Sequence, residues 1–172
     1  MSKQTARVTT VAVLAAALLS GCGVVSTMKN EGVKNPITPE QSKAQVIDAA
    51  KEVVSTLGIE AIRPAFWHAS CNDQGEAPFR GQMRIGYPQA GSFEASDAEI
   101  ASMVQRLESN GWSKAPDFLT HGTALQKNGI VAVFSPQNVS VPTRSLEFFG
   151  ECSDVTTSKE AGGETEIVSL TP

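Results

Sequence analysis

The chain opens MSKQTARVTT and runs straight into VAVLAAALL, nine apolar residues from Val11 to Leu19, before Ser20, Gly21 and the first cysteine, Cys22. This segment constrains the fold more than any other, because it decides which residues are left to fold and in what redox surroundings. A helix of nine residues is about 14 Å long, roughly half the thickness of a hydrocarbon core, so the run is too short for a transmembrane anchor. Lys3 and Arg7 precede it with no acid nearby, and small residues follow it. A basic flank, a short apolar run and a small-residue boundary predict an export signal peptide over residues 1–21 rather than a buried N-terminal helix.

The four residues Leu19, Ser20, Gly21 and Cys22 resemble the lipobox of bacterial lipoproteins. Leu19 matches the apolar position of that motif and Gly21 the small residue before the cut. The resemblance implies that Cys22 becomes the new N-terminus, diacylated on sulfur and further acylated on nitrogen. A thiolate is the side chain suited to accept a thioether-linked lipid. Two or three acyl chains hold a protein on a membrane far more firmly than one does. The expected location is the outer side of the cytoplasmic membrane, attached through lipid at Cys22.

Cleavage there leaves a chain of ordinary single-domain length. Lys3 and Arg7 are the only charges removed, so the net charge moves from -4 to about -6. A domain this acidic, without a Lys/Arg cluster, is repelled by polyphosphate, which argues against nucleic-acid partners. Residues 22–37, rich in Gly, Ser and Asn, read as a flexible tether, and 153–172 as a polar tail in which EIVSL can add a short edge strand.

Cys71 and Cys152 remain. An even pair outside the cytoplasm is most simply a disulfide, and closing a loop of roughly 80 residues contributes on the order of 4 kcal/mol by chain entropy. The competing reading is two separate thiols or a zinc site with His68. Zinc takes three or four ligands, and His68 and His121 fall at no recognised spacing from the cysteines. The sequence thus predicts neither a metal nor any other cofactor.

A single domain is expected over 38–152. Thr38, Pro39 and Gln41 spell a capping box with proline at the first helical position, followed by an apolar stripe of Val46, Ala50, Val53, Val54 and Leu57 and by Gly58 as a stop. A second helix is read from Ser96 and Glu99 as its capping box, with Ile100, Met103, Val104 and Leu107 as its stripe and Trp112 folding back past Gly111. Strands are expected over 65–71 and 82–87, joined by the turn-rich NDQGEAPFRG. Asn128 and Gly129 suit a type I′ turn leading into the apolar run Ile130–Phe134. A last strand, SLEFFGEC, alternates so that Leu146, Phe148 and Cys152 share a face while Glu147 and Glu151 oppose them. The predicted fold is α+β: a two-layer sandwich with two helices on one face of a mostly antiparallel sheet of about four to five strands.

The segment WHASCNDQGEAPFRG over 67–81, with ITPEQSKAQVIDAAKEVV upstream and SNGW later, resembles the small envelope lipoproteins of mycobacteria and related actinobacteria, of the lipoprotein A type. That resemblance implies export and lipidation and supplies no catalytic residues, since the family has no assigned activity. The residues themselves offer one hydrolase arrangement, Ser70 as nucleophile with His68 or His121 as base and Asp73 as orienter. No G-x-S-x-G elbow surrounds Ser70, and a turn in which Asn72 and Asp73 cap the strand end accounts for the same residues. The favoured expectation is a non-enzymatic, membrane-anchored domain that meets an envelope protein partner. Its alternatives are a carrier or sensor of a small apolar ligand and, last, the Ser70/His68 hydrolase.

Overall fold

The computed structural model describes residues 32–170. Cys22 and the predicted signal peptide lie outside the described residues. Helix α1 spans Pro39–Leu57, and its capping box is complete: Gln41 N donates to Thr38 Oγ1 at 3.2 Å and Thr38 N to Gln41 Oε1 at 2.9 Å. Gly58 ends it at φ 65, returning its N–H to Val54 O. Ser42, Val46, Ala50, Val53 and Leu57 form the buried face.

Strands β1 (Ile62–Ser70) and β2 (Phe79–Tyr87) pair antiparallel, and helix α2 (Phe93–Glu108) follows. Then come β3 (Ser113–Lys114), β4 (Thr123–Lys127), β5 (Ile130–Phe134), β6 (Arg144–Phe149) and β7 (Glu166–Ile167). Every ladder is antiparallel, in the order β3-β4-β5-β6-β2-β1-β7. The two-layer α+β prediction holds, but the sheet has seven strands rather than four to five. The additional edge strands β3 and β7 have two residues each, too short to carry a period.

One sheet face carries Phe66, Met83, Ile85, Leu125, Ala132, Leu146 and Phe148, all buried in a single core with the stripes of both helices. Close approach of α1 to the sheet depends on Gly81, where a Cβ would lie 2.7 Å from Ser42 O; in its place Gly81 N donates to Ser42 Oγ at 2.7 Å. Asn128 and Gly129 both take positive φ, 50 and 78, as a type I′ turn requires. Past α2, Gly111 at φ 87 lets Trp112 N reach Leu107 O, and the indole is buried in the core.

The start of α2 differs from expectation. Ser92 is the cap, accepting from Ala95 N, while Ser96 lies inside the helix and is fully buried. Ser96 and Glu99 instead face Arg144, itself buried, whose guanidinium meets Glu99 Oε2 at 2.6 Å and Pro88 O at 2.8 Å and stacks 4.5 Å from the Tyr87 ring centre. The sequence motif was sound, but tertiary demand for a partner to a buried cation claimed its residues.

The other sheet face is only half covered. Trp67, Gln82, Phe149 and Val131 stand in register across it, with Arg84 paired to Glu147 at 2.6 Å and Phe118 folded against Phe149. Strand β6 stops at Phe149, so Cys152 does not share its face as expected. After Gly150 the chain turns across the start of β2, where Phe79 N bonds Asp154 O and Asp154 N bonds Phe79 O. Cys152 meets Cys71 there in a disulfide with Cα atoms 6.0 Å apart.

Candidate functional site

The end of the sheet closed by that disulfide gathers three distant parts of the chain. Ile37, just before α1, donates its N–H to Ser153 O at 2.9 Å; Phe79 begins β2; Asp154 joins both. Residues 155–168 then run as a strap along the outer edge of β1. Gly163 N donates to His68 O at 2.8 Å and Val168 N to Pro64 O at 3.0 Å, and β7 pairs Ile167 with Ala65 and Glu166 with Phe66. β7 falls within EIVSL, the stretch of the polar tail read as able to add a short edge strand, and the residues before it also bind the edge of β1.

Asp154 is fully buried, and its carboxylate organises the strap. Oδ1 accepts from Thr156 N at 2.9 Å, Thr156 Oγ1 at 3.0 Å and Thr157 N at 3.0 Å, while Oδ2 accepts from Thr157 Oγ1. Burial pushes this carboxyl's pKa up, but the hydrogen bonds from Thr157 and Thr156 together outweigh burial and hold it below the ordinary carboxylate range. The sequence signal for this turn was Asp followed at the second and third positions by threonine, a side-chain-to-backbone turn pattern.

His68 stands beside it. Its Nδ1 is buried without a hydrogen bond, 3.6 Å from Asp154 Oδ2, and its ring meets the Phe66 ring edge to face at 5.0 Å. Burial lowers the imidazole pKa and Lys43 lowers it further, against the opposing pull of Asp154, Glu166 and Glu40. These groups border a groove of about 630 Å³, with Glu40 and Lys43 on the α1 side, His68 on β1 and Thr157, Ser158 and Thr165 on the strap. Lys43 pairs with Glu166 across it.

The hydrolase arrangement is not assembled. The Ser70 hydroxyl lies within the loop after β1, 2.6 Å from Glu76 O and 3.2 Å from Asn72 N, and Asn72 ties the same loop through Glu76 O and Ala77 O. His121 lines a separate groove of about 580 Å³ beside Ile100, Val104 and Phe134. Arg80 of the same polar stretch lies on the opposite sheet face, 5.0 Å over the Phe149 ring. Among the described residues no group of His, Cys, Asp or Glu is arranged to hold a metal, and no helix is long and apolar enough to cross a membrane. A third groove, of about 690 Å³, is apolar, with Val54, Ile59, Pro64, Val168 and Leu170 in its walls.

The described residues define a disulfide-closed α+β domain whose N-terminal segment joins it at the end that carries the polar groove. The family described as "Putative lipoprotein LppJ" matches residues 38–171, and the chain belongs to that family. Proteins described as "Putative lipoprotein LppJ" from Mycobacterium tuberculosis (strains CDC 1551 / Oshkosh and ATCC 25618 / H37Rv) and Mycobacterium bovis (strain ATCC BAA-935 / AF2122/97) are each 34% identical over 142 residues, covering 75% of this chain and 74% of theirs. No solved structure matches the chain. The resemblance read from the sequence, to actinobacterial lipoproteins without an assigned activity, is upheld. The family match begins where α1 does and takes in the strap, so the unit shared with these relatives extends well past Cys152.

Proposed function

We propose that this chain is a non-enzymatic lipoprotein, acylated at Cys22 and held on the outer side of the cytoplasmic membrane, whose domain docks another envelope protein at the groove beside His68. The observation that carries the reading is the placement of that groove. It lies at the end where the N-terminal segment joins the domain, and it is bordered by α1, β1 and the strap together. Its hydroxyls and carboxylates face solvent, as the rim of a protein interface does. Family membership and the LSGC segment support the anchor.

A second reading, a carrier of a small apolar ligand, draws on the groove of about 690 Å³ between the end of α1 and the strap. The two separate in one experiment. A photo-crosslinking side chain at Thr165 gives a discrete protein adduct in the native envelope under the docking reading, and one at Val168 gives a lipid-sized adduct under the carrier reading. Absence of any protein adduct at Thr165 removes the first. Intact mass of the native protein, with Cys22→Ser as control, tests the anchor: the variant leaves the membrane fraction, and an unmodified chain beginning at Met1 would refute acylation.

A further inference from the structure

We infer that the sheet face turned away from both helices carries a carboxylate-binding site at Arg80, and that its occupant is an acidic side chain of a partner protein set beside an apolar one. The inference goes beyond the groove at His68 and does not rest on it, since Arg80 lies on the opposite face of the sheet.

Charge carries it first. Among the described residues, the basic side chains that are not freely exposed are those of Lys43, Arg80, Lys127 and Arg144. Three of them meet a glutamate: Lys43 meets Glu166, Lys127 meets Glu52 at 2.7 Å and Arg144 meets Glu99 at 2.6 Å. Arg80 meets none. Its Nε is buried without a hydrogen bond, and its guanidinium lies 5.0 Å from the centre of the Phe149 ring. The acids along β6 serve elsewhere. Glu147 holds Arg84 at 2.6 Å, and Glu151, just past the strand, lies against the Asn128–Gly129 turn, where a Cβ on Gly129 would come 2.7 Å from its carboxylate. A guanidinium partly withdrawn from water and left without a counter-charge is a cost to the fold. A carboxylate on its solvent side offsets that cost through charge-assisted bonds to the planar fork.

The surroundings determine what carries the carboxylate. Trp67, Gln82 and Phe149 form one row across β1, β2 and β6 next to Arg80, all partly exposed, and Phe118 folds onto Phe149 from the loop after β3. Stacking on Phe149 orients the guanidinium before a ligand arrives, so little side-chain freedom is lost on binding. Tryptophan, phenylalanine and arginine gathered on an open face are the residue types that dominate the centres of protein interfaces. A free small acid instead needs a concave site that encloses it, and the grooves described above are lined by neither Arg80 nor Trp67. The face therefore fits a protein surface that brings its own carboxylate.

The test has two arms. In the first, the full chain in detergent micelles is titrated with phenylacetate, a carboxylate beside an apolar ring, and with its neutral analogue phenylacetamide, while NMR follows the Trp67 indole N–H. Phenylacetate is expected to shift that signal saturably with a Kd of about 1–10 mM, phenylacetamide to bind about tenfold more weakly, and Arg80→Gln to remove the difference. In the second, a photo-crosslinking side chain at Gln82 in the native envelope is expected to give a protein adduct whose partner peptide carries Asp or Glu, with a yield about tenfold lower in Arg80→Gln. Equal binding of the two probes overturns the carboxylate site, whether or not Arg80→Gln folds. A phenylacetate Kd below about 10 μM makes the face a small-acid site and overturns the protein occupant. So does the absence of a protein adduct at Gln82, an adduct of twice the chain's own mass, or an adduct indifferent to Arg80→Gln. Neither arm involves Thr165 or the groove beside His68.

Discussion

Replacing both disulfide cysteines, Cys71→Ser with Cys152→Ser, removes a covalent closure across a sequence separation of 81 residues. A cross-link of that span restricts the unfolded chain far more than the folded one, and loop-closure entropy puts its contribution at about 4.5 kcal/mol at 25 °C. For a domain of this size each kcal/mol corresponds to about 2–4 °C of melting temperature, so the double variant should melt roughly 10–18 °C lower. The fold itself should survive, because the backbone bonds of Phe79 with Asp154 and of Ile37 with Ser153 hold the same crossing without the sulfurs. Urea unfolding followed by Trp67 and Trp112 fluorescence measures the loss. The slope against denaturant should rise slightly, since the unlinked unfolded chain expands and exposes more surface. A loss below about 1 kcal/mol would show that the unfolded ensemble is already restricted in this region and would refute the entropic reasoning.

Two further outcomes follow from close contacts and buried charge. Gly81→Ala places a methyl 2.7 Å from Ser42 O, 3.0 Å from Val46 Cγ2 and 3.1 Å from Phe66 Cε2, so α1 must lift from β2. The expected loss is about 1–3 kcal/mol, at the upper end because the nearest atom is backbone; Gly91→Ala, with nothing within 4 Å, is the neutral control, and equal melting of the two variants would refute the contact argument. Asp154 has a lowered folded pKa, so its contribution is complete above the unfolded value of about 3.9 and is lost as pH falls through the lower folded one. Asp154→Asn should lose about 1–3 kcal/mol near neutral pH and show a flatter acid limb in thermal melts than the parent; parallel acid limbs would exclude Asp154 as their source.

What was legible in the sequence was local. The Thr38 capping box, the left-handed Gly58, the Asn128–Gly129 turn and the return of Trp112 onto α2 each depend on residues within a few positions of one another, and each stands in the structure. Where distant groups decided the outcome, local patterns misled or fell silent. Ser96 and Glu99 matched a cap motif yet serve Arg144, which lies 48 and 45 positions away. Thr156 and Thr157 read as tail residues because nothing nearby in sequence shows that Asp154 is buried where it bridges Ile37 and Phe79, the first residue of β2. The candidate site was half visible: His68 stood out as a histidine in a polar stretch, but its neighbours Lys43 and Glu166 come from the far ends of the domain.

The crossing of Ile37, Phe79 and Asp154 also sets how the domain bears mechanical load. A tug delivered through the residues before α1 is met first by the bond from Ile37 to Ser153, one residue from the sulfur bridge to the end of β1. Tension between that point and anything gripping residues 155–165 passes along the backbone through Asp154, so the load falls on this crossing before it reaches the ladder of β7 with β1.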